Sequence, residues 1–198
     1  MKRLFAALEL PETARATLET LIRSMRPEVP RGLVRWVRPE GVHLTLQFYG
    51  DVPAGRQLRL EAVLRDAAVG RRPLRLSARG VSAFPRPTAA RVLWAGLEGD
   101  LDATRDLQRQ IVALAEVLGF RPEARGFTPH LTLGRVREDA GRERLALIAG
   151  ALARHATWTG PSFEVGALSL MQSDRRPDGA IYSALAQFPF SPEAESPG

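Results

Sequence analysis

The sequence predicts an α+β protein of two pseudo-symmetric lobes, each a small antiparallel sheet with helices packed outside, facing one another across a central cleft. Two observations carry most of this. Strand-like and helix-like segments alternate along the chain, with apolar residues recurring at period two and then at helical spacing. The tetrapeptide HLTL stands at 43–46 and again at 130–133, each time on a strand pattern with a helix pattern after it. A separation of 87 residues suits a duplicated half-domain rather than a short solenoid repeat. No change of composition divides the halves. Residues 1–190 are therefore expected to form one domain, with SPEAESPG at 191–198 as a disordered tail.

RLFAAL (3–8) reads as a strand, and Pro11 opens a helix to about Met25 with Leu18, Leu21, Ile22 and Met25 on one face. RPEVPRG (26–32) is a turn-rich break. LVRWV and VHLTLQF come next as strands around the turn residues Pro39 to Gly41. The second helix spans about Ala54 to Val69, with Leu60, Val63, Leu64 and Ala67 inward. LRLSARGV (74–81) and RVLWAGL (91–97) form a strand pair joined by the proline-bearing loop AFPRPTAA. A third helix runs from about Leu101 to Leu118 and buries Leu107, Ile111, Leu114 and Leu118, with Gly119 as its stop. FTPHLTLGRV is a strand entered through Pro129, and a fourth helix covers about Arg142 to His155. Strands FEVGALSLMQ (163–172) and AIYSALAQF (180–188), joined by SDRRPDG, close the chain.

Composition excludes several classes of function. The chain has no cysteine, which removes disulfides, thiol catalysis and Cys-ligated metals and fits a cytoplasmic protein. No apolar stretch is long enough to span a membrane, so no membrane partner is expected. The run after Met1 is broken by Glu9 and Pro11 and reads as a first strand rather than a signal peptide. A net charge of +6 permits an anionic partner, but Lys2 is the only lysine among the 28 basic residues, a bias that a GC-rich genome also produces. Those residues are dispersed, so charge supports a nucleic-acid ligand only weakly.

The repeated motif is more specific. A strand turns alternate side chains to opposite faces, so Leu44 and Leu46 can anchor one strand while His43 and Thr45 project together. Leu131 and Leu133 do the same for His130 and Thr132. One amphipathic strand with His and Thr on its wet face is commonplace. With ten threonines in the chain, however, a Thr two places after a given His arises by chance about one time in twenty, and here it occurs at two of only three histidines. Two imidazoles of ordinary pKa near 6.5 can hold opposite protonation states around neutrality. One can take a proton from water while the other gives a proton to a leaving oxygen. In-line displacement at phosphorus needs those roles on opposite sides of the phosphorus atom, which a two-fold cleft supplies. The threonine hydroxyls can donate to non-bridging phosphoryl oxygens. This chemistry needs no cofactor and no metal, and two separated histidines make a poor zinc site.

Paired H-x-T-x motifs are the signature of the 2H phosphoesterase superfamily. The chain closely resembles its RNA 2′,3′-cyclic phosphodiesterase branch, formerly called 2′-5′ RNA ligases. The resemblance runs from about Arg3 to Phe188, through WVRPEGVHLTLQFYGDV, RVLWAGL, GFTPHLTLGRV and LSLMQSDRRPDGAIYSALAQF. Where the family usually reads LGE, this chain has Tyr49, Gly50 and Asp51. The resemblance implies hydrolysis of a terminal RNA 2′,3′-cyclic phosphate, on tRNA fragments or other RNA, to a 2′-phosphomonoester. It implies His43 as general acid toward the ribose 3′-oxygen, His130 as general base toward water, Thr45 and Thr132 as phosphate-binding hydroxyls, and Arg135 as a phosphate-contacting cation. Run in reverse, the same site would join RNA ends through a 2′-5′ linkage. The two motifs are chemically symmetric, so the polarity of acid and base comes from the resemblance alone.

Other candidates weigh less. Strict alternation from His130 puts Arg135 on the opposite face, so its role requires the strand to twist or end near Gly134. The same alternation from His43 puts Phe48 with Leu44 and Leu46 in the core. His155 is expected as a helix-end cation, and Trp36, Trp94 and Tyr182 as strand packing. Arg86, Arg175 and Arg176 lie in loops that could flank the cleft, with solvated loop charge an equal reading. A nucleotide is a further expected ligand. A domain carrying its own two-fold pair is expected to be a monomer. The rival class is a non-catalytic nucleotide- or RNA-binding module using the same cleft, which would need threonine and arginine more than two titratable bases.

Overall fold

The computed structural model describes residues 1–121, 126–176 and 179–191. Among them, nine strands and four α-helices run in the order β1 (Lys2–Glu9), α1 (Glu12–Met25), β2 (Val34–Trp36), β3 (His43–Val52), α2 (Ala54–Ala68), β4 (Leu74–Phe84), β5 (Val92–Gly99), α3 (Leu101–Val117), β6 (Leu131–Val136), α4 (Arg142–Arg154), β7 (Thr159–Val165), β8 (Ala167–Arg176) and β9 (Gly179–Pro189). The helices form where the apolar stripes predict them. α1 buries Ala14, Leu18, Leu21, Ile22 and Met25, with Pro11 as its N-cap and Glu12 at the positive end of its dipole. α3 buries Leu107, Ile111 and Ala115 and stops where Gly119 adopts φ +77°, a left-handed turn that side chains disfavour. Leu118 is only partly buried.

All pairing between these strands is antiparallel, in the order β7-β4-β5-β6-β3-β1-β8-β9, with β2 added beside β6. That order is a palindrome about the two motif strands. β6, β5, β4 and β7 on one side answer β3, β1, β8 and β9 on the other. Among the described residues the two four-strand sheets pair through one residue couple, Leu44 with Leu131, the same position of each motif. The pseudo-two-fold axis therefore passes between these leucines, both buried in the main core.

The lobes are not the two halves of the sequence. β4 and β5, from the first half, pair with β7 and β6 of the second, and β8, from the second half, joins β1 of the first and carries β9 with it. Each lobe thus borrows two strands from the other half. This corrects the reading of 163–172 as one strand. It divides at Gly166 into β7, which pairs with β4, and β8, which pairs with β1, so the chain changes sheets there. A single extended run hides the division because both pieces bury apolar residues on both sides of the break.

One sheet face packs its leucines, valines and alanines against the helices in a continuous core. On the opposite, concave face a small separate cluster of Phe5, Ala7 and Met171 packs with Tyr182. The expected tail lies outside the described residues apart from Ser191, which bridges to Val69. Among the described residues no helix is long and apolar enough to cross a membrane.

Candidate active site

Both histidines are held by the same local device. His43 Nδ1 lies 2.8 Å from the carbonyl oxygen of Gly41, and His130 Nδ1 lies 2.7 Å from that of Thr128. A carbonyl only accepts, so each Nδ1 carries the proton and donates it to the residue two positions back. This fixes the tautomer and leaves Nε2 as the nitrogen that exchanges a proton with a ligand. The Gly41 carbonyl is set by the short 3-10 turn Pro39–Gly41, whereas that of Thr128 comes from an irregular stretch that enters β6 through Pro129. Gly41 also packs closely here: a Cβ there would stand 3.3 Å from the Tyr182 ring.

Around these anchors the two sides differ. His43 is sandwiched by Phe5, with ring centroids 4.8 Å apart, and by the edge of Tyr182, also at 4.8 Å. Burial in this aromatic slot lowers its pKa from 6.5 to about 4, assisted by the like charge of His130 and opposed by the Gly41 carbonyl and by Glu9. His43 is therefore neutral at neutral pH in the free protein. His130 rests edge-on against Phe84 at 4.9 Å and lies 6.3 Å from Trp94.

Cross-strand partners share a face, so register identifies what else looks into the cleft. Ala7 pairs with Thr45, and Trp94 pairs with Thr132. Both threonines are partly exposed between buried leucines, as alternation predicts. Beyond them alternation fails in both strands at the same place. β1 and β3 step from Ala7–Thr45 to Ala6–Gln47, leaving Leu46 as an extra residue, and β5 and β6 step from Trp94–Thr132 to Leu93–Gly134, leaving Leu133 extra. Each bulge reverses the faces of the residues beyond it. Phe48, expected in the core, therefore turns to the cleft side, where it is 38% exposed and lies 5.4 Å from Phe5. Arg135, which alternation would place on the far face, turns to the same side as Thr132 and pairs with Val92. Phe48 and Arg135 each stand five residues after their histidine and are equivalents under the pseudo-two-fold.

The structure thus brings His43, Thr45, His130, Thr132 and Arg135 to one sheet face, but not into one cavity. An open groove of about 730 Å³ is lined by Thr45, Phe48, Phe84, Phe127 and His130 together with one side of α3. Arg135 borders a separate depression with Arg91, Val92, Val136 and Glu138. Tyr182, Phe5 and Phe84 gain a role as walls of the imidazoles that strand propensity alone does not signal. Trp94 packs against Phe84, with ring centroids 5.1 Å apart. Its Nε1 is buried beside His130 with no hydrogen-bond partner among the described residues. His155 lies elsewhere. Its Nε2 is 2.9 Å from Glu28, whose other oxygen accepts from Arg154, so the pair clamps the end of α4 to the segment after α1.

The family model for LigT-like phosphoesterases matches residues 8–94 and 99–182. The chain belongs to the LigT-like phosphoesterase family. It is 37% identical over 186 residues to an RNA 2′,3′-cyclic phosphodiesterase of Methanothermobacter thermautotrophicus, covering 94% of this chain and 97% of that protein. A solved structure from Thermus thermophilus superposes with TM-score 0.78 at 28% identity, over 97% of this chain and all of the other. E. coli LigT complexed with 3′-AMP shares the fold, with TM-score 0.74 at 21% identity over 96% of this chain and 98% of that one.

Proposed function

We propose that this phosphoesterase hydrolyses RNA 2′,3′-cyclic phosphate ends to 2′-phosphomonoesters by acid–base catalysis between His43 and His130. The observation that carries the reading is the matched Nδ1–H···O=C anchoring of the two imidazoles on either side of the Leu44–Leu131 axis. A phosphorus atom between two such Nε2 atoms has a proton acceptor on one side and a proton donor on the other, as in-line displacement requires. His130 Nε2 takes a proton from water as the water oxygen bonds to phosphorus. The bond from phosphorus to the ribose 3′-oxygen breaks, and that oxygen takes the proton held by His43. The products are a 3′-hydroxyl and a 2′-phosphomonoester.

Thr45 and Thr132 donate to the non-bridging oxygens, and Arg135 adds fixed positive charge on the same face. Because His43 is neutral in the free protein, its Nε2 takes up a proton from solvent as the substrate binds. The anionic cyclic phosphate beside Nε2 favours the imidazolium and reverses the effect of burial. The groove beside His130 has the size of a small-molecule site and an aromatic floor in Phe48, which suits the nucleobase of the terminal nucleotide. A nucleotide such as the 3′-AMP of the E. coli LigT complex would fit the same groove. By microscopic reversibility the histidines exchange roles in 2′-5′ ligation. The test is turnover of a cyclic-phosphate oligonucleotide by His43→Ala and His130→Ala, each expected to lose activity by about 10²–10⁴-fold while remaining folded. Near-normal activity in both variants would overturn the assignment.

A further inference from the structure

β2 is only three residues long, yet it sets Arg35 directly opposite Arg135. Like charges facing one another across an antiparallel pair are destabilising unless an anion lies between them. Seven of the described arginines pair with carboxylates, and most of the others do not. Arg35 and Arg135 have no such partner among the described residues. The first residue of β9, from the other lobe, reaches β2, where a Cβ on Gly179 would lie 3.8 Å from Arg35 Cδ. Arg176 is the cross-strand partner of Gly179, so its side chain leaves the hairpin on that same face. Arg176 too is exposed and lacks a carboxylate partner among the described residues.

The bulge at Leu133 places this row one face-repeat beyond Thr132, about 7 Å along the strand. That is roughly one nucleotide of backbone from where the threonine holds the cyclic phosphate. We propose that Arg35, with Arg135 and Arg176, forms a second anion subsite that takes the 5′-phosphate of the terminal nucleotide. The inference rests on the RNA cyclic-phosphate reading of the site. It makes Arg35 and Arg176 the device that distinguishes an RNA end, in which that phosphate links to the chain, from a free cyclic nucleoside phosphate with a 5′-hydroxyl.

Two 2′,3′-cyclic nucleotides that differ only in a 5′-phosphate or 5′-hydroxyl test this directly. The wild-type protein is expected to prefer the 5′-phosphorylated substrate in kcat/KM. Arg35→Ala should cut that preference about tenfold, and Arg35→Lys should restore part of it. An absent preference in the wild type, or equal losses on both substrates, would overturn the subsite. A second measurement does not depend on turnover. For a fluorescent RNA ending in a 2′-phosphate, Arg35→Ala should lower the slope of log affinity against log salt by about one. An unchanged slope would sink the subsite even in an active enzyme. If neither nucleotide were hydrolysed but the slope fell, the catalytic reading would fail and the anion subsite would stand.

Discussion

Lowering the pH from 7 to 5 should destabilise this protein through His43 in particular. In the unfolded chain its imidazole titrates near 6.5 and gains a proton over that interval. In the folded chain the slot between Phe5 and Tyr182 depresses the pKa to about 4, so the ring stays neutral. The unfolded state then binds more protons than the native state, and stability falls as pH falls. At pH 5 the unfolded ring lies about 1.5 pH units below its pKa, worth about 2 kcal/mol. Solvent still reaches part of the ring, and its screening makes that figure a ceiling. The loss levels off below about pH 4, where the native ring protonates as well. Urea unfolding at both pH values, on wild type and on His43→Asn, isolates the contribution because carboxylate titrations cancel in the difference. The wild type should lose up to about 2 kcal/mol more than the variant between pH 7 and pH 5. Parallel losses, or an NMR titration of His43 with its midpoint at 6 or above, would refute the burial argument.

The same geometry sets expectations for three further substitutions. Phe48→Ala should raise KM for a cyclic-phosphate oligonucleotide roughly tenfold, since base stacking on an aromatic contributes about 1–3 kcal/mol, and Phe48→Trp should retain most of the affinity. An unchanged KM would return Phe48 to a packing role. Leu44→Ala removes a fully buried side chain at the pair joining the two sheets and should cost about 2–5 kcal/mol in denaturant unfolding. Gly41→Val should impair turnover with little loss of stability, because the added side chain displaces Tyr182 from the His43 ring. Comparison of kcat/KM with the thermal midpoint separates the two effects.

Much of this architecture is legible in the residues. The helices lie where 3.6-residue periodicity places them, and the two HLTL copies mark the strands that meet on the pseudo-two-fold. His43, Thr45, His130 and Thr132 share a face because period-two alternation holds as far as the second leucine of each motif. Beyond those leucines, Leu46 and Leu133, a bulge in each strand reverses the faces, and nothing local in a run of strand-forming residues signals it. The bulges turn Phe48 out of the core and return Arg135 to the face of Thr132. The exchange of β4 and β5 for β8 and β9 between the halves is also not a local property, because strand pairing partners are distant in sequence. The two motif copies do carry one clue, since an aromatic and a cation occupy the same offset from their histidines.

Product analysis tests the two-histidine mechanism most directly. RNA ending in a 2′,3′-cyclic phosphate is incubated with the protein, with and without EDTA, and the position of the phosphate on the product is determined. The mechanism predicts a 2′-phosphomonoester with a 3′-hydroxyl at the same rate in both conditions. A 3′-phosphate product, or activity abolished by EDTA, would contradict it.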